Sequence, residues 1–269
     1  MNTSVELLVL KVVIAPVFVG LLSLIALRYG HRTAGWLVAL PVNTGTIVFV
    51  LTISEGPGFA ATVALGALLG IVSISVFTIV YARSAVRLPW PVCLGLACLG
   101  FLASTLVLSR FPELVVAELV AAVVAVAVVL RFVPIGKELE GPPASPRWEI
   151  PLRMFTAASL VLVITTAAGA LGPRLSGLLS PVPVFTITLV IFTHSRHGPA
   201  PVFVFLNGLQ YGLFSFAAFC AVVGVLLVPD GLAVSFAAGL AAFLAVYAVL
   251  RRVLDRTSDR VESKPGEPR

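Results

Sequence analysis

Residues 30–57 read GHRTAGWLVALPVNTGTIVFVLTISEGP, and residues 172–199 read GPRLSGLLSPVPVFTITLVIFTHSRHGP. Displaced by 142 positions, with no gap, the two stretches share Gly30/Gly172, Arg32/Arg174, Gly35/Gly177, Leu37/Leu179, Pro41/Pro183, Val42/Val184, Thr44/Thr186, Val48/Val190, Gly56/Gly198 and Pro57/Pro199. Apolar composition alone does not bring Gly, Arg, Pro and Thr into register together. An internal repeat takes precedence over other readings of fold, and this one sets the frame for the rest of the chain.

Composition excludes a soluble globule. Of 269 residues, 59% are hydrophobic and 11% charged, against about 25% charged in soluble domains. The formal charge of +6 comes from residues between apolar runs and in the C-terminal tail, where they set membrane orientation. No basic face interleaved with aromatics is present to hold a nucleic-acid backbone. Cys93, Cys98 and Cys220 all lie in apolar runs, and neither their number nor their spacing suits a disulfide framework or a zinc site. The first apolar run carries Glu6 in its leading segment rather than a positive cluster. It is therefore expected to be retained rather than cleaved as a signal peptide.

Nine runs reach the length of a membrane-spanning helix, about 20 mostly apolar residues. They lie near 6–28, 35–53, 59–82, 90–109, 113–133, 150–170, 176–194, 200–226 and 232–251. Short turns rich in Gly, Pro and charge separate them, and the one long interior connector, 134–149, reads as a surface linker. With the N-terminus outside, only Lys11, Arg110 and Arg174 of the 18 basic residues fall on the outer side. That split favours an N-out, C-in arrangement.

The 142-residue offset continues through Lys11/Arg153, Gly66/Gly208, Gly70/Gly212, Ser73/Ser215, Phe77/Phe219, Phe101/Phe243 and Arg110/Arg252. Runs one to four therefore recur as runs six to nine, and the fifth is an insert. Four crossings plus one turn the second copy upside down. The expected fold class is an all-α polytopic membrane protein built as two inverted four-helix repeats joined by a linker helix. Its parts are residues 1–112 for the first repeat, 113–149 for the linker helix and cytoplasmic loop, 150–252 for the second repeat, and 253–269 for a disordered tail.

Proline breaks at matching positions of an inverted repeat point to a transporter's substrate site. Pro41 and Pro183 lack an N–H and exclude the carbonyl four residues back. In hydrocarbon that carbonyl must find a partner or line a wet cavity. Asn43, Thr44 and Thr46 follow the first break, and Thr186 and Thr188 the second; Asn43 corresponds to Phe185, so the half-sites differ. These side chains either repair a simple kink or face a solute, and both readings stand. Asn207 and Gln210 border the Gly208-x-x-x-Gly212 face and are expected beside the same cavity; Leu65 and Leu68 take their places in the first half. Glycines spaced by four, at 66/70 and 208/212, suit close helix packing.

Arg32 and Arg174 stand ahead of the two breaks, as paired gate or anion-attracting residues, or as snorkelling anchors of helix depth. Lys11 and Arg153 fit snorkelling near helix starts, Glu118 a shallow interfacial position ahead of a proton-coupling carboxylate, and His194 and His197 a cytoplasmic helix end. No metal-ligand cluster, phosphate loop or nucleophile–base pair is evident, so no catalytic residue, cofactor or metal is expected.

At Ala34, Gly35, Leu37 and Pro41, and again at Ser176, Gly177, Leu179 and Pro183, the chain resembles the GlpM-like family of small bacterial membrane proteins. Those are four-helix chains with a similar A-G-x-L/V-x-x-x-P run; Ser replaces Ala in the second copy here. The resemblance covers mainly one helix per half. It implies two such units fused in opposite orientations, and a connection with export of an envelope polysaccharide. The architecture is also similar to small multidrug and drug/metabolite transporters. Their membrane-embedded glutamate has no counterpart, because Glu6 lies at the edge of its run, and this argues against proton-coupled cation export.

The expectation is an inner (plasma) membrane transporter moving a small neutral, anionic or lipid-like solute. A non-transporting scaffold subunit of an envelope-polymer pathway is the rival, and a lipid-modifying enzyme the third reading. The expected partners are the bilayer and the solute, with a homodimer or an envelope-pathway protein as further candidates, and no nucleic acid.

Overall fold

The computed structural model describes residues 17, 20–25, 28–110, 114–134, 136, 150–156, 159 and 184–262. Arg174 and Pro183, most of the runs at 6–28 and 150–170, and the connector from 137 to 149 lie outside the described residues. Among those described, every regular element is a helix. They are α1 (His31–Val38), α2 (Val42–Ser54), α3 (Pro57–Ser84), α4 (Trp90–Leu108), α5 (Val115–Phe132), α6 (Val184–His197) and α7 (Pro199–Glu262). Short helical pieces also occur at 20–25 and 150–156.

The expected run at 35–53 is two helices, broken where the proline stands. The Leu37 carbonyl, which Pro41 cannot serve, accepts instead from Leu40 N at 3.1 Å, and Trp36 O accepts from Ala39 N at 3.3 Å. The last turn of α1 thus tightens before it stops, a common way to satisfy end carbonyls. The helix restarts with Gly45 N donating to Pro41 O at 2.8 Å.

Glycine sets the sharpest turns. Gly56 (φ 94, ψ 165) and Gly198 (φ 75) each precede a proline that opens the next helix. Positive φ costs glycine little, and a proline at the first helical position loses no hydrogen bond. The identical pairs Gly56–Pro57 and Gly198–Pro199 are therefore built alike. Inside α7, Gly231 (φ 78, ψ 177) divides the helix into a first arm, 199–230, and a second, 232–262. The tail, expected to be disordered from 253, instead continues the second arm to Glu262. No Gly or Pro interrupts it before Pro265, and the alternating Arg and Asp of that stretch are compatible with a helix.

α3 and the first arm of α7 form the middle of the bundle. α3 packs against α2, α4, α5 and α7, and α7 against α1, α3, α5 and α6. Val63, Leu68, Ile71 and Phe77 of α3 and Val202, Leu206, Val223 and Leu227 of α7 have no exposed surface to speak of. The outer helices are different. α4 leaves Leu96, Leu99, Leu102 and Leu106 bare, and α5 leaves Val116, Val120, Val124 and Val128 bare. Soluble monomers rarely carry apolar patches beyond a few hundred Å². Four described helices, one of them the bent α7, are long and apolar enough to cross a membrane. This is a membrane-embedded helical protein, and the bare leucines and valines are its lipid-facing surface.

Two crossings position the region around the break. α1 lies directly on the first arm of α7: a Cβ on Gly35 would strike the Phe205 carbonyl, one on Gly208 the Arg32 carbonyl, and one on Gly212 the Cβ of Ala39 at 2.5 Å. Only glycine lets the two backbones come this close. α3 and the first arm run antiparallel, because Leu65 meets Gly224 while Thr78, further along α3, meets Gln210. Gly35→Ala and Gly208→Ala each press a methyl on backbone that cannot rotate away, and should lower the stability of the detergent-solubilised protein by about 1–3 kcal/mol. Gly58→Ala, whose Cβ would meet nothing within 4 Å, is the control. A thermal or denaturant transition of Gly35→Ala matching that control would rule out the close crossing.

Candidate functional site

The break between α1 and α2 opens a hollow of about 370 Å³. Leu40, Pro41, Val42, Gly45, Thr46 and Phe49 line one side. Phe219, from the first arm of α7, and Phe236 and Leu240, from the second, line the other. Phe236 stands edge-on to both Phe49 (centroids 6.1 Å apart, planes at 83°) and Phe219 (5.9 Å, 86°). Edge-to-face packing of this kind holds rings in place by more than area burial. Gly45 leaves the space empty: a Cβ there would come only to 3.6 Å of Phe219. The equivalent residue of the second half is Ile187.

The hollow is apolar in chemistry as well as in name. Among the described residues its only polar side chain is Thr46, whose hydroxyl donates to Val42 O at 2.6 Å, on its own helix. That bond is an ordinary one-turn-back contact inside α2, and it reaches none of the carbonyls left at the break. Of the expected site residues, Pro41 and Thr46 line the hollow. Asn43 and Thr44 lie in the first turn of α2, where Thr44 is buried. Thr186 and Thr188 are fully buried in α6, and the Thr186 hydroxyl has no hydrogen-bond partner among the described residues. Neither of those two lines the hollow.

Asn207 and Gln210 are engaged with protein. Asn207 Nδ2 donates to Phe203 O at 3.0 Å and to Pro134 O at 3.4 Å, tying the end of α5 to α7. Gln210, wholly buried, donates through Nε2 to Thr78 Oγ1 at 2.9 Å and accepts from Ser75 Oγ at 3.3 Å. Thr78 in turn donates to Ile74 O at 2.9 Å. The amide is thus a polar stitch between α3 and α7, and such stitches must be complete where no water reaches. Arg32 is exposed in the first turn of α1, with its partner Arg174 outside the described residues.

Three polar positions behave differently from their sequence reading. Arg153 is buried rather than snorkelling: it is 5% exposed, with Nη1 3.4 Å from Ser23 Oγ and its guanidinium 5.2 Å from the centre of the Phe192 ring. Glu118 is buried on the inner stripe of α5 with Ala122, Val126 and Val129, not shallow at an interface. His194 does more than mark a helix end, since its Nδ1 lies 2.8 Å from the hydroxyl of fully buried Tyr81, joining α6 to α3. The signal for all three was a polar or ionisable residue within or beside an apolar run, which usually faces the bundle interior. No cluster of three or more His, Cys, Asp or Glu that could hold a metal occurs among the described residues.

Comparisons with protein-family models, curated proteins and solved structures gave no match.

Gln210→Leu, which installs the residue found at the equivalent position 68, should cost about 1 kcal/mol of stability. A far larger loss would mean that the amide does more than join the two helices. A double-mutant cycle of Tyr81→Phe and His194→Ala should return a coupling of about 1 kcal/mol; strict additivity would show that the 2.8 Å contact contributes nothing.

Proposed function

We propose that this chain is a membrane transporter whose two halves, inverted relative to one another, rock around the break at Pro41 to move a small neutral, anionic or lipid-like solute. The observation that carries the reading is the hollow itself: a helix interrupted within the bundle, facing a space walled by the opposite half of the chain. Discontinuous helices at repeat interfaces are where transporters hold their cargo. A helix merely kinked for packing would have its gap filled, and Gly45 keeps this one open.

Several features support the inversion. The equivalent central helices, α3 and the first arm of α7, pack antiparallel, as inverted copies of one helix must when they lie side by side. Packing is also exchanged across the halves: α2 meets Phe236 of the second half, while its counterpart α6 meets α4 of the first. The equivalent glycine–proline turns share their backbone form. Tyr81 lies by His194, Arg83 by Phe132, and Pro134 by Asn207, so the basic helix ends gather together. Glu55 and Asp230 mark the ends of other helices, away from that group. In the positive-inside sense this supports a cytoplasmic C-terminus, and the reading takes the inner membrane as the setting and two fused GlpM-like units as the ancestry.

Purified protein in liposomes should give substrate-dependent flux, and Gly45→Leu, which plugs the hollow, should lower it by roughly tenfold or more for an overpacking cost of about 1–3 kcal/mol. Flux absent for every solute class, with envelope-pathway proteins co-purifying, would favour the scaffold instead. In a background lacking Cys93, Cys98 and Cys220, cysteines placed at Ser54 and Arg196, equivalent and exposed positions, should be labelled from opposite sides. Labelling from one side would end the inversion.

A further inference from the structure

The hollow at Pro41 opens sideways. Its rim residues Phe49 and Leu240 are 44% and 46% exposed, and each continues along its own helix into bare apolar surface, Ile53 on α2 and Leu244 on α7. The space is therefore continuous with the bare apolar surface of α2 and α7. Depth can be read from the chain. The hollow begins at the break, midway along the α1–α2 segment, and its far wall, Phe236, lies five residues beyond the turn at Gly231. It thus occupies the leaflet on the side of Glu55 and Asp230.

We propose that the hollow is a lateral portal for an acyl or other hydrocarbon chain, so that the solute is a membrane-resident amphiphile whose tail enters from the bilayer. This rests on reading the hollow as the transporter's substrate site, and it selects the lipid-like class from the three that reading allows. The chemistry of the lining makes the selection. Among the described residues no charged side chain borders the space, and the one hydroxyl already donates within its own helix. A water-soluble neutral or anionic solute would enter such a lining with its polar groups unpaired, at a cost of about 1–3 kcal/mol for each group on mutational scales. A hydrocarbon tail leaves nothing unpaired, and it gains dispersion contact with three aromatic rings. The asymmetry of the halves points the same way. Where the first half has Gly45, Phe236 and Leu240 around the space, the equivalent positions carry Ile187, Leu94 and Cys98. A branched side chain takes room that glycine leaves, so the sequence puts the open space at the first break.

The test uses the full chain in phosphatidylcholine vesicles containing a phosphatidylcholine with a photoactivatable diazirine on its acyl chain, with adducts mapped by mass spectrometry. Adducts are expected on 45–49 and 236–240 as well as on the outer faces of α4 and α5. In Gly45→Leu those in the hollow should fall roughly tenfold, the equivalent of about 1.4 kcal/mol, while those on α4 and α5 stay as they were. Gly45→Ala, whose methyl meets Phe219 at an ordinary 3.6 Å, should be intermediate and serves if the leucine variant does not fold. Adducts confined to α4 and α5, or hollow adducts unchanged by either substitution, would overturn the portal. Lipid flux measured on the same vesicles separates the two claims. Hollow adducts without flux would uphold the tail site and sink the transporter, whereas flux of a water-soluble solute without hollow adducts would do the reverse.

Discussion

Within a bilayer no water is available to repair a broken helix, so every backbone group freed by a proline must be answered by protein. Pro41 imposes that requirement between α1 and α2, in a segment packed on the central helices. The chain meets it locally, by turning the Leu37 and Trp36 carbonyls onto donors three residues ahead and by restarting the helix at once. Backbone donors thus serve the carbonyls at the break, and the Thr46 hydroxyl bonds one turn back inside α2. The space in front of the break is accordingly lined with hydrocarbon and ring edges. A repair made by asparagine or threonine side chains would have produced a polar cleft from the same proline.

That local solution needs a firm support on either side. α1 is held by backbone-to-backbone contact at Gly35, Gly208 and Gly212, and Trp36 adds a stacked contact to Tyr211 and an edge contact to Tyr247. α3 and the first arm of α7 are stitched by Gln210 and further joined to α6 and α4 through Tyr81–His194 and Ser73–Thr105. These polar contacts are few, and each joins different helices. Against lipid, apolar burial gives little preference for one helix partner over another, whereas close packing and satisfied hydrogen bonds do. The interior is thus specified by a handful of glycines, hydroxyls, two amides and a histidine, while leucine and valine fill much of what remains.

Much of this was legible in the sequence wherever backbone chemistry decides. The apolar runs at 59–82, 90–109 and 113–133 became α3, α4 and α5 within two residues at each end. The break fell at its proline, and the Gly208/Gly212 face became a packing face, because no side chain can substitute for a missing N–H or a missing Cβ. Side-chain partnerships were not legible. A glutamine in an apolar run announces that something polar faces it; whether that is a solute or Ser75 and Thr78 on another helix depends on a crossing the sequence does not print. Arg153 shows the same limit, since a basic residue near a helix start reads as a headgroup anchor until Phe192 and Ser23 are brought around it. The end of α7 departs from expectation for a simpler reason: polar composition suggests disorder, although no Gly or Pro in 253–262 interrupts a helix.

Gly231 gives the hollow an unusual construction. Phe219 stands before this glycine and Phe236 and Leu240 after it, so both far walls belong to one helix doubled back on itself. The conformation at the fold, φ 78 and ψ 177, lies in a region that residues other than glycine hardly visit, and a Cβ there would touch nothing within 4 Å. Away from the turn the two arms close on one another, with Gly239 so near Val223 and Phe219 that a Cβ there would clash. The glycine at the fold and the glycine at the crossing thus set together how Phe236 and Leu240 stand against Phe219, as a hairpin is held both at its bend and between its legs.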